Sequence, residues 1–174
     1  MGNGINGVTY EKWFASRTKG NVEEKTRRLS DDEIVLHVMI MSAMGIDHPT
    51  LHPNVVSRYY NVVYWVEPGD ELRTCVKEGV CPTWNQKGML YLQSVDDPAF
   101  LSLEVQRFDS IVDPGTSSGR VVVGRARIPF PEMFDRDVIG TYALVRSEGE
   151  TRRPEGLVSV AMRLERIGYS IPCL

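Results

Sequence analysis

Apolar side chains recur at every second position along most of residues 33–164, and this alternation limits the fold more than any other feature. In the first run, Leu36, Val38 and Ile40 occupy alternate positions, which is typical of a β-strand with one buried face. Turn-forming Pro, Gly and Asp residues separate this run from the later ones. The later runs lie at residues 60–66, 72–76, 89–93, 101–105, 120–128, 141–145 and 158–164.

About eight strands without a long amphipathic helix between them favour antiparallel sheets stacked face to face. We therefore predict an all-β, eight-stranded antiparallel β-sandwich, with one helical turn at residues 131–137. The length of 174 residues suits one domain, and 42% hydrophobic with 25% charged residues is the composition of a chain that buries a core. Wholesale disorder is excluded.

The first thirty residues differ from the rest in charge. They contain six Lys or Arg and three Glu, a net charge of +3, so the chain total of −3 leaves −6 for the remainder. We predict a basic extension over residues 1–30, flexible or partly helical near residues 9–17. The β-sandwich domain then spans 31–170 and a short tail spans 171–174.

No segment reads as a membrane span or a secretory signal. The longest apolar stretch, residues 34–46, is shorter than the roughly 20 residues that cross a bilayer, and the N-terminus lacks a continuous apolar run. This predicts a cytoplasmic protein in a reducing compartment. Its cysteines, Cys75, Cys81 and Cys173, should then be free thiols.

Five fragments, in order, resemble the C2 domain. LHVMIMSAMGID (36–47) resembles the opening strand of that family, and SRYYNVV (57–63) resembles its Ser-Asp-Pro-Tyr-Val segment. RTCVKEGVCPTWNQ (73–86) is similar to a Thr strand followed by Pro-x-Trp-Asn-Glu, while LSLEVQRFD (101–109) and VVVGRARIPF (121–130) are similar to the strands around the third loop. The resemblance covers residues 33–167 and implies a C2 sandwich with the permuted topology of many small plant members.

Calcium-binding C2 domains gather about five loop carboxylates at one end, because a hard cation needs six to eight oxygen ligands. The resemblance places Arg58, Arg107 and Arg120 at three of these acidic positions, where their charge would repel a divalent cation. We therefore predict no metal and no cofactor. The residual metal candidates are Asp47, Asp109 and Asp113.

Arginine offers a planar fork of donors that suits phosphate, so the same end is a candidate anion site. An anionic lipid headgroup or an acidic peptide would suit it. The alternative is internal salt bridging, in which neighbouring Asp and Glu residues neutralise the cations. The candidate anion-binding residues are Arg58, Lys77, Lys87, Arg107 and Arg120.

The resemblance implies a non-catalytic module that targets anionic membrane phospholipids without calcium, peripheral at the plasma membrane, in plant stress or defence signalling. The alternative is a protein-protein interaction adaptor with no direct lipid binding. Gly2 resembles a myristoylation start, for which the basic extension could supply the second, electrostatic signal. A disordered leader is the other interpretation of that segment.

Motifs for catalysis are not apparent. His48 and His52 lie in a Pro-rich loop without the four ligands of a zinc site, and Cys75 and Cys81 do not form Cys-x-x-Cys. The segments GTSSG (115–119) and GNGING (2–7) match Gly-x-Ser-x-Gly and Gly-x-Gly-x-x-Gly, but neither lies between a predicted strand and a predicted helix, as the catalytic and dinucleotide-binding motifs require. No Gly-x-x-x-x-Gly-Lys loop is present. We therefore predict that the protein is not an enzyme, and its acidic body disfavours nucleic-acid binding.

Overall fold

The protein is described by a computed structural model over residues 32–93, 95, 99–108 and 120–168. All regular secondary structure in these ranges is β-strand. The predicted basic extension with Gly2, the predicted helical segment 9–17 and the tail 171–174 lie outside the described residues.

The strand pattern confirms the predicted all-β antiparallel sandwich. The short strands β3 and β4 both pair with β2; β3 lies within the run predicted as one strand at residues 72–76, and β4 follows that run. The strands are β1 (Asp32–Met44), β2 (Tyr59–Trp65), β3 (Leu72–Arg73), β4 (Lys77–Glu78), β5 (Thr83–Leu92), β6 (Phe100–Phe108), β7 (Arg120–Pro129), β8 (Val138–Glu148) and β9 (Thr151–Gly168).

Two layers make up the sandwich. One layer has the order β5-β1-β9-β8, and the other has β7-β6-β2 with β3 and β4 at its edge. Among the described residues, one register pair joins β7 to β8, between Arg125 and Val145, which marks where the path turns from one layer to the other. The last strand, β9, lies between β8 and β1 and is antiparallel to both.

The core forms where alternate residues of the two layers face each other. Leu36 and Ile40 on β1 and Leu101 and Leu103 on β6 are 0–1% exposed, as the period of two predicts. Trp84 on β5 also belongs to this cluster. Burial of each such side chain contributes roughly 1.5–3 kcal/mol, so the alternation itself fixes which face of each strand points inward.

Side chains form hydrogen bonds with backbone amides and carbonyls where the edge strand is interrupted between β3 and β4. The amide of Cys75 donates to Gln86 Oε1 at 2.7 Å, and Gln86 Nε2 donates to the carbonyl of Arg73 at 3.4 Å. On the other side, Val62 N donates to Thr74 Oγ1 at 2.9 Å. The interruption therefore leaves these backbone groups paired, which an edge strand needs if it is not to recruit other chains.

The predicted helical turn at residues 131–137 was wrong. Phe134 instead forms a parallel bridge with Leu164, and the amide of Asp135 donates to the carbonyl of Leu164 at 2.7 Å. Phe134 packs against the core, and the guanidinium of Arg166 lies 4.3 Å from the centre of its ring. The segment forms bends and a turn around this bridge, because a partly buried aromatic side chain and a strand contact outweigh the weak helix preference of a short run next to proline.

Several connections meet at one end of the sandwich, which we call the loop end. Those within the described residues are 45–58, 79–82 and 149–150. The strand ends at this position are neighbours, because Tyr59 lies opposite both Glu78 and Phe108, and Phe108 lies opposite Arg120. Side chains from distant parts of the sequence therefore converge there.

Gly156 should be irreplaceable in this geometry. Its φ is +149°, and a Cβ there would come within 2.5 Å of the carbonyl oxygen of Met44. We expect Gly156→Ala to lower the free energy of unfolding by about 2–4 kcal/mol in urea denaturation. The control is Gly149→Ala, because Gly149 has a φ of +60° and open space, which predicts a loss of about 1 kcal/mol. Equal losses in the two variants would contradict the steric argument.

Candidate functional site

Asp47 is at the centre of the loop end and is completely buried. It is the third residue after the end of β1, and its φ of 43° lies in the left-handed region that Asp tolerates better than most residues. This sharp turn directs a charged side chain into the end of the sandwich. A carboxylate without water around it must be paired and hydrogen-bonded.

Two arginines and a tyrosine hold the carboxylate of Asp47. Arg107 Nη1 donates to Oδ2 at 2.8 Å, and Arg146 Nη2 donates to Oδ1 at 2.5 Å. The hydroxyl of Tyr60 also donates to Oδ2, at 3.0 Å. Arg107, Arg146 and Tyr60 are themselves buried, so both oxygens of Asp47 are engaged away from solvent.

A second carboxylate, Glu155 on β9, completes the arrangement. Its Oε1 accepts from the amide of Asp47 at 2.8 Å and from Arg146 Nη2 at 2.9 Å. Arg146 also donates from Nε to the carbonyl of Val123 at 3.0 Å. Arg146 therefore bridges both carboxylates. We call Asp47, Arg107, Arg146 and Glu155 the charge cluster; its two negative and two positive groups balance.

The cluster sets the protonation of its members. Burial by itself would raise the pKa of Asp47, but the hydrogen bonds and charges of Arg107 and Arg146 outweigh it and hold the pKa below the ordinary 3.8. Burial, together with the charge of Asp47, raises the pKa of Tyr60 above its ordinary 10. Asp47 is therefore ionised and Tyr60 is a permanent hydrogen-bond donor to it at neutral pH.

Arg58 fixes the β1–β2 loop from inside. Its Nη1 donates to the carbonyl of Val55, and its Nη2 lies 3.4 Å from the carbonyls of both Asp47 and His52. The side chain of His52 is 14% exposed, and its Nε2 lies 3.6 Å from Glu155 Oε1. The loop thus packs over the charge cluster, and Arg58 donates its hydrogen bonds to backbone carbonyls of the loop itself.

The five candidate anion-binding residues do not form one exposed group. Arg58, Lys77, Arg107 and Arg120 lie at the loop end, but Lys87 lies opposite Met39 in the middle of β5. Arg107 departs furthest from the prediction, because its register position opposite Tyr60 turns it into the sandwich. Arg107 forms an internal salt bridge, which is the alternative that the sequence left open.

Arg120 and Lys77 are exposed as an anion site requires. The guanidinium of Arg120 lies 5.3 Å from the centre of the Phe108 ring. No ion pair joins Lys77 to another residue in the part of the chain that the structure describes. Arg152, in the β8–β9 hairpin, is likewise exposed, whereas its neighbour Arg153 pairs with Glu148 at 2.6 Å.

The described residues at this end do not fit a calcium ion. Asp47, His52 and Glu155 place possible ligand atoms within 4.8 Å of one another. However, the oxygens of Asp47 and Glu155 already bind guanidinium groups, and a hard cation needs six to eight oxygens with surplus negative charge. Of the three residual metal candidates, Asp109 and Asp113 lie outside the described residues.

Sequence reasoning missed Arg146, Glu155 and Tyr60 as partners of Asp47. A signal for Arg146 is present, because it stands two positions after the buried Leu144, where the alternation of β8 calls for an apolar residue. A charged residue at an inward position implies a buried partner of opposite charge. The partner itself could not be named, because Asp47 is distant in sequence.

Apolar side chains are exposed beside these charges. Leu51 and Val56 in the β1–β2 loop are 71% and 90% exposed, and Val80 in the β4–β5 loop is 47% exposed. Such residues at a loop tip are not needed for the core. Together with Lys77, Arg120 and Arg152, they make the loop end an amphipathic surface.

Arg146→Gln should destabilise the domain strongly, because it leaves two buried carboxylates with one buried cation. We expect the free energy of unfolding to fall by about 3–5 kcal/mol in urea denaturation. The control is Arg152→Gln, at an exposed position of the same hairpin, which should change stability by about 0.5 kcal/mol or less. Similar losses in both variants would show that the cluster is not a buried ionic network.

The lowered pKa of Asp47 predicts a specific acid response. Its ionisation stabilises the fold above the unfolded value of 3.8, and this contribution is lost as the pH falls through the lower folded pKa. We expect the free energy of unfolding of the wild type to decline more steeply below pH 3.8 than that of Asp47→Asn, measured by urea denaturation at each pH. Parallel profiles for the two proteins would refute this.

Comparison with known proteins agrees with this fold. The C2 domain family pattern matches residues 34–144. Human GIVD cytosolic phospholipase A2 superposes with a TM-score of 0.58 at 15% identity, covering 79% of this chain and 17% of that chain. A C2 domain of plant Extended Synaptotagmin 1 gives a TM-score of 0.56 at 16% identity, covering 78% of this chain and 95% of that chain.

A C2 domain-containing protein from a gene thought to be elicitor-responsive gives a TM-score of 0.53 at 22% identity, covering 79% of this chain and 92% of that chain. No curated protein sequence matches the chain. The family match spans more than half of the 174 residues, and the solved structures share the fold. The chain therefore belongs to the C2 domain family.

Proposed function

We propose that this protein is a non-catalytic module that binds anionic membrane lipids without calcium through its loop end. C2 domains commonly bind membrane lipids or proteins. The proposal that binding is independent of calcium rests on one observation. Arg107 and Arg146 donate hydrogen bonds to the carboxylate of Asp47, at 2.8 and 2.5 Å. Two internal guanidinium groups supply the positive charge that an ion would otherwise bring.

An internal cation has a consequence for regulation. A metal ion can leave and return, so a metal-bound tip is a switch; arginine side chains are covalently attached and remain charged at every physiological pH. The β1–β2 loop, held by Arg58 and by the charge cluster, is then prearranged for contact. Prearranged loops lose less conformational entropy on binding.

The amphipathic surface of the loop end supports a lipid target. Insertion of Leu51, Val56 and Val80 would contribute roughly 1.5–3 kcal/mol for each side chain that is fully buried. Each of Lys77, Arg120 and Arg152 near an anionic bilayer adds about 1 kcal/mol. The exposed carboxylates at this end, Glu78, Glu148 and Glu150, offset part of this attraction, so we expect reversible, salt-sensitive binding.

The basic extension would strengthen the same contact, since residues 1–30 carry a net charge of +3. A myristoyl group on Gly2 would add a second anchor of the kind that single acyl chains need. No helix in the described ranges is long and apolar enough to cross a bilayer. We propose a cytoplasmic protein, peripheral at the plasma membrane.

A role in plant stress or defence signalling is part of the proposal. It draws on the likeness to a C2 protein from a gene thought to be elicitor-responsive and to a plant Extended Synaptotagmin 1 domain. The second candidate is a protein-interaction adaptor. It is favoured by apolar side chains exposed on the outer surface of one layer, where Ile139 is 68% exposed.

Vesicle flotation tests the lipid proposal. We expect the full chain to float with phosphatidylcholine vesicles that contain phosphatidylserine, in the presence of a chelator, and not with phosphatidylcholine alone. Added calcium should leave the bound fraction unchanged, because the carboxylates of Asp47 and Glu155 already bind guanidinium groups. High salt should release the protein.

Charge reversal identifies the contact surface. Lys77→Glu with Arg152→Glu should reduce the bound fraction several-fold, and Leu51→Asp should do the same by removing an apolar contact. Lys87→Glu is the matched control, since Lys87 is a cation on the middle of β5, away from the loop end. Binding that needs calcium, or equal loss in the Lys87 variant, would overturn the proposal.

A further inference from the structure

Two of the three histidines of the chain, His48 and His52, lie in the β1–β2 loop. Leu51, which is 71% exposed and belongs to the amphipathic surface of the loop end, lies between them in the sequence. The third histidine, His37, is on β1, where its Nε2 lies 2.7 Å from Glu165 Oε2. Histidine is the side chain whose charge ordinarily changes between about pH 5 and pH 8. Protonation of His48 and His52 therefore adds positive charge to the loop that carries Leu51.

His48 is exposed and takes part in the turn that carries Leu51. Its carbonyl accepts hydrogen bonds from the amides of Leu51 and His52, at 2.9 and 2.8 Å. Its ring nitrogen Nδ1 accepts a hydrogen bond from the amide of Thr50, at 3.3 Å. A ring nitrogen that accepts carries no proton, whereas both nitrogens of a protonated histidine are donors. Protonation of His48 therefore places a charge at the surface and releases the amide of Thr50.

His52 is packed inside the same loop, with 14% of its side chain exposed. Its Nε2 is buried and has no hydrogen-bond partner among the residues that the structure describes. Glu155 Oε1 lies 3.6 Å from this nitrogen, which is too long for a hydrogen bond but short enough for an ion pair. Because a protonated ring donates from both nitrogens, protonation gives Nε2 a donor role toward Glu155. Attraction between the two groups then draws the loop against β9.

Charges of both signs surround the ring of His52. Carboxylate oxygens of Asp47 and Glu155 lie within 4.8 Å of a ring nitrogen. Arg146 of β8 and Arg107 of β6 bind these carboxylates, and Nη2 of Arg58 lies 3.4 Å from the carbonyl of His52. The carboxylates favour the protonated ring, and the guanidinium groups oppose it. Since the charge cluster is balanced, a proton on His52 raises the net charge of the loop end by one.

We propose that His48 and His52 make the lipid contact of the loop end sensitive to pH, which presupposes the lipid binding proposed above. Protonation of the β1–β2 loop strengthens its attraction to an anionic bilayer, and deprotonation weakens it. Each positive charge added near an anionic surface favours binding roughly fivefold. The arginine side chains of the loop end stay charged throughout this range, so the histidines are the groups whose charge varies.

Membrane binding and protonation of the loop reinforce each other. The negative potential of an anionic bilayer concentrates protons at its surface, so the loop takes up protons more readily there than in solution. By thermodynamic linkage, a bilayer that favours the protonated loop also binds that form more tightly. A mildly acidic medium therefore increases the fraction of protein on the membrane, and a neutral one releases it.

Vesicle flotation of the full chain at about pH 6 and about pH 7.5 tests this proposal, because histidine is the residue type that ordinarily titrates between these values. The vesicles combine phosphatidylcholine with phosphatidylglycerol, whose phosphodiester keeps its charge at both values, and the buffer contains a chelator. We expect the partition coefficient to be about five- to tenfold larger at the lower pH. High salt should remove the difference, and phosphatidylcholine alone should show none.

Substitution assigns the effect to the loop. The double variant His48→Gln with His52→Gln should bind equally at both pH values, because it lacks both titrating groups. His37→Gln is the matched control, since His37 lies on β1 and pairs with Glu165, and it should keep the full pH dependence. His48→Lys places a permanent charge at an exposed position, so it should bind about fivefold better at the higher pH and respond less to acid.

The outcomes separate this proposal from the lipid proposal. Equal flotation of the wild type at both pH values would overturn the role of the histidines and leave lipid binding in place. Absence of flotation at both values would overturn the two proposals together. Loss of the pH dependence in His37→Gln, or its persistence in the double variant, would show that the β1–β2 loop is not its source. Stronger flotation with phosphatidylcholine alone at the lower pH would contradict an electrostatic cause.

Discussion

The buried carboxylate of Asp47 determines how the loop end is built. Once the turn after β1 has placed it inside the sandwich, its charge must be neutralised there. Arg107 from β6 and Arg146 from β8 supply the positive charge, and Glu155 from β9 balances the second guanidinium. With Tyr60 from β2, three strands from both layers are thereby tied to one carboxylate, and Glu155 binds the backbone amide of the same residue.

This ionic network serves to specify one conformation of the loop end more than to raise the free energy of unfolding. Replacing a buried ion pair by apolar residues is often neutral or stabilising, whereas removing one member is costly. The network fixes where the β1–β2 loop begins and which side of β6 and β8 faces inward at this end. The β1–β2 loop that begins there carries the exposed Leu51 and Val56.

Much of the fold could be predicted from the sequence, because the period of two directly reports which residues are buried. Leu36, Val38 and Ile40 are buried as that pattern requires. The helical turn at 131–137 was mispredicted because the contact of Phe134 with Leu164 is non-local. The resemblance placed arginines at the loop end, but it did not indicate whether each side chain faces solvent. Arg107 and Arg120, both at strand ends, differ because register turns one inward and the other outward.

Calorimetric titration of the full chain with calcium chloride tests most directly whether the charge cluster replaces the ion. The guanidinium groups of Arg107 and Arg146 occupy the oxygens of Asp47, so no binding heat is expected up to millimolar calcium. Saturable heat with micromolar affinity would contradict this, because the carboxylates would then have to exchange both arginines for a metal.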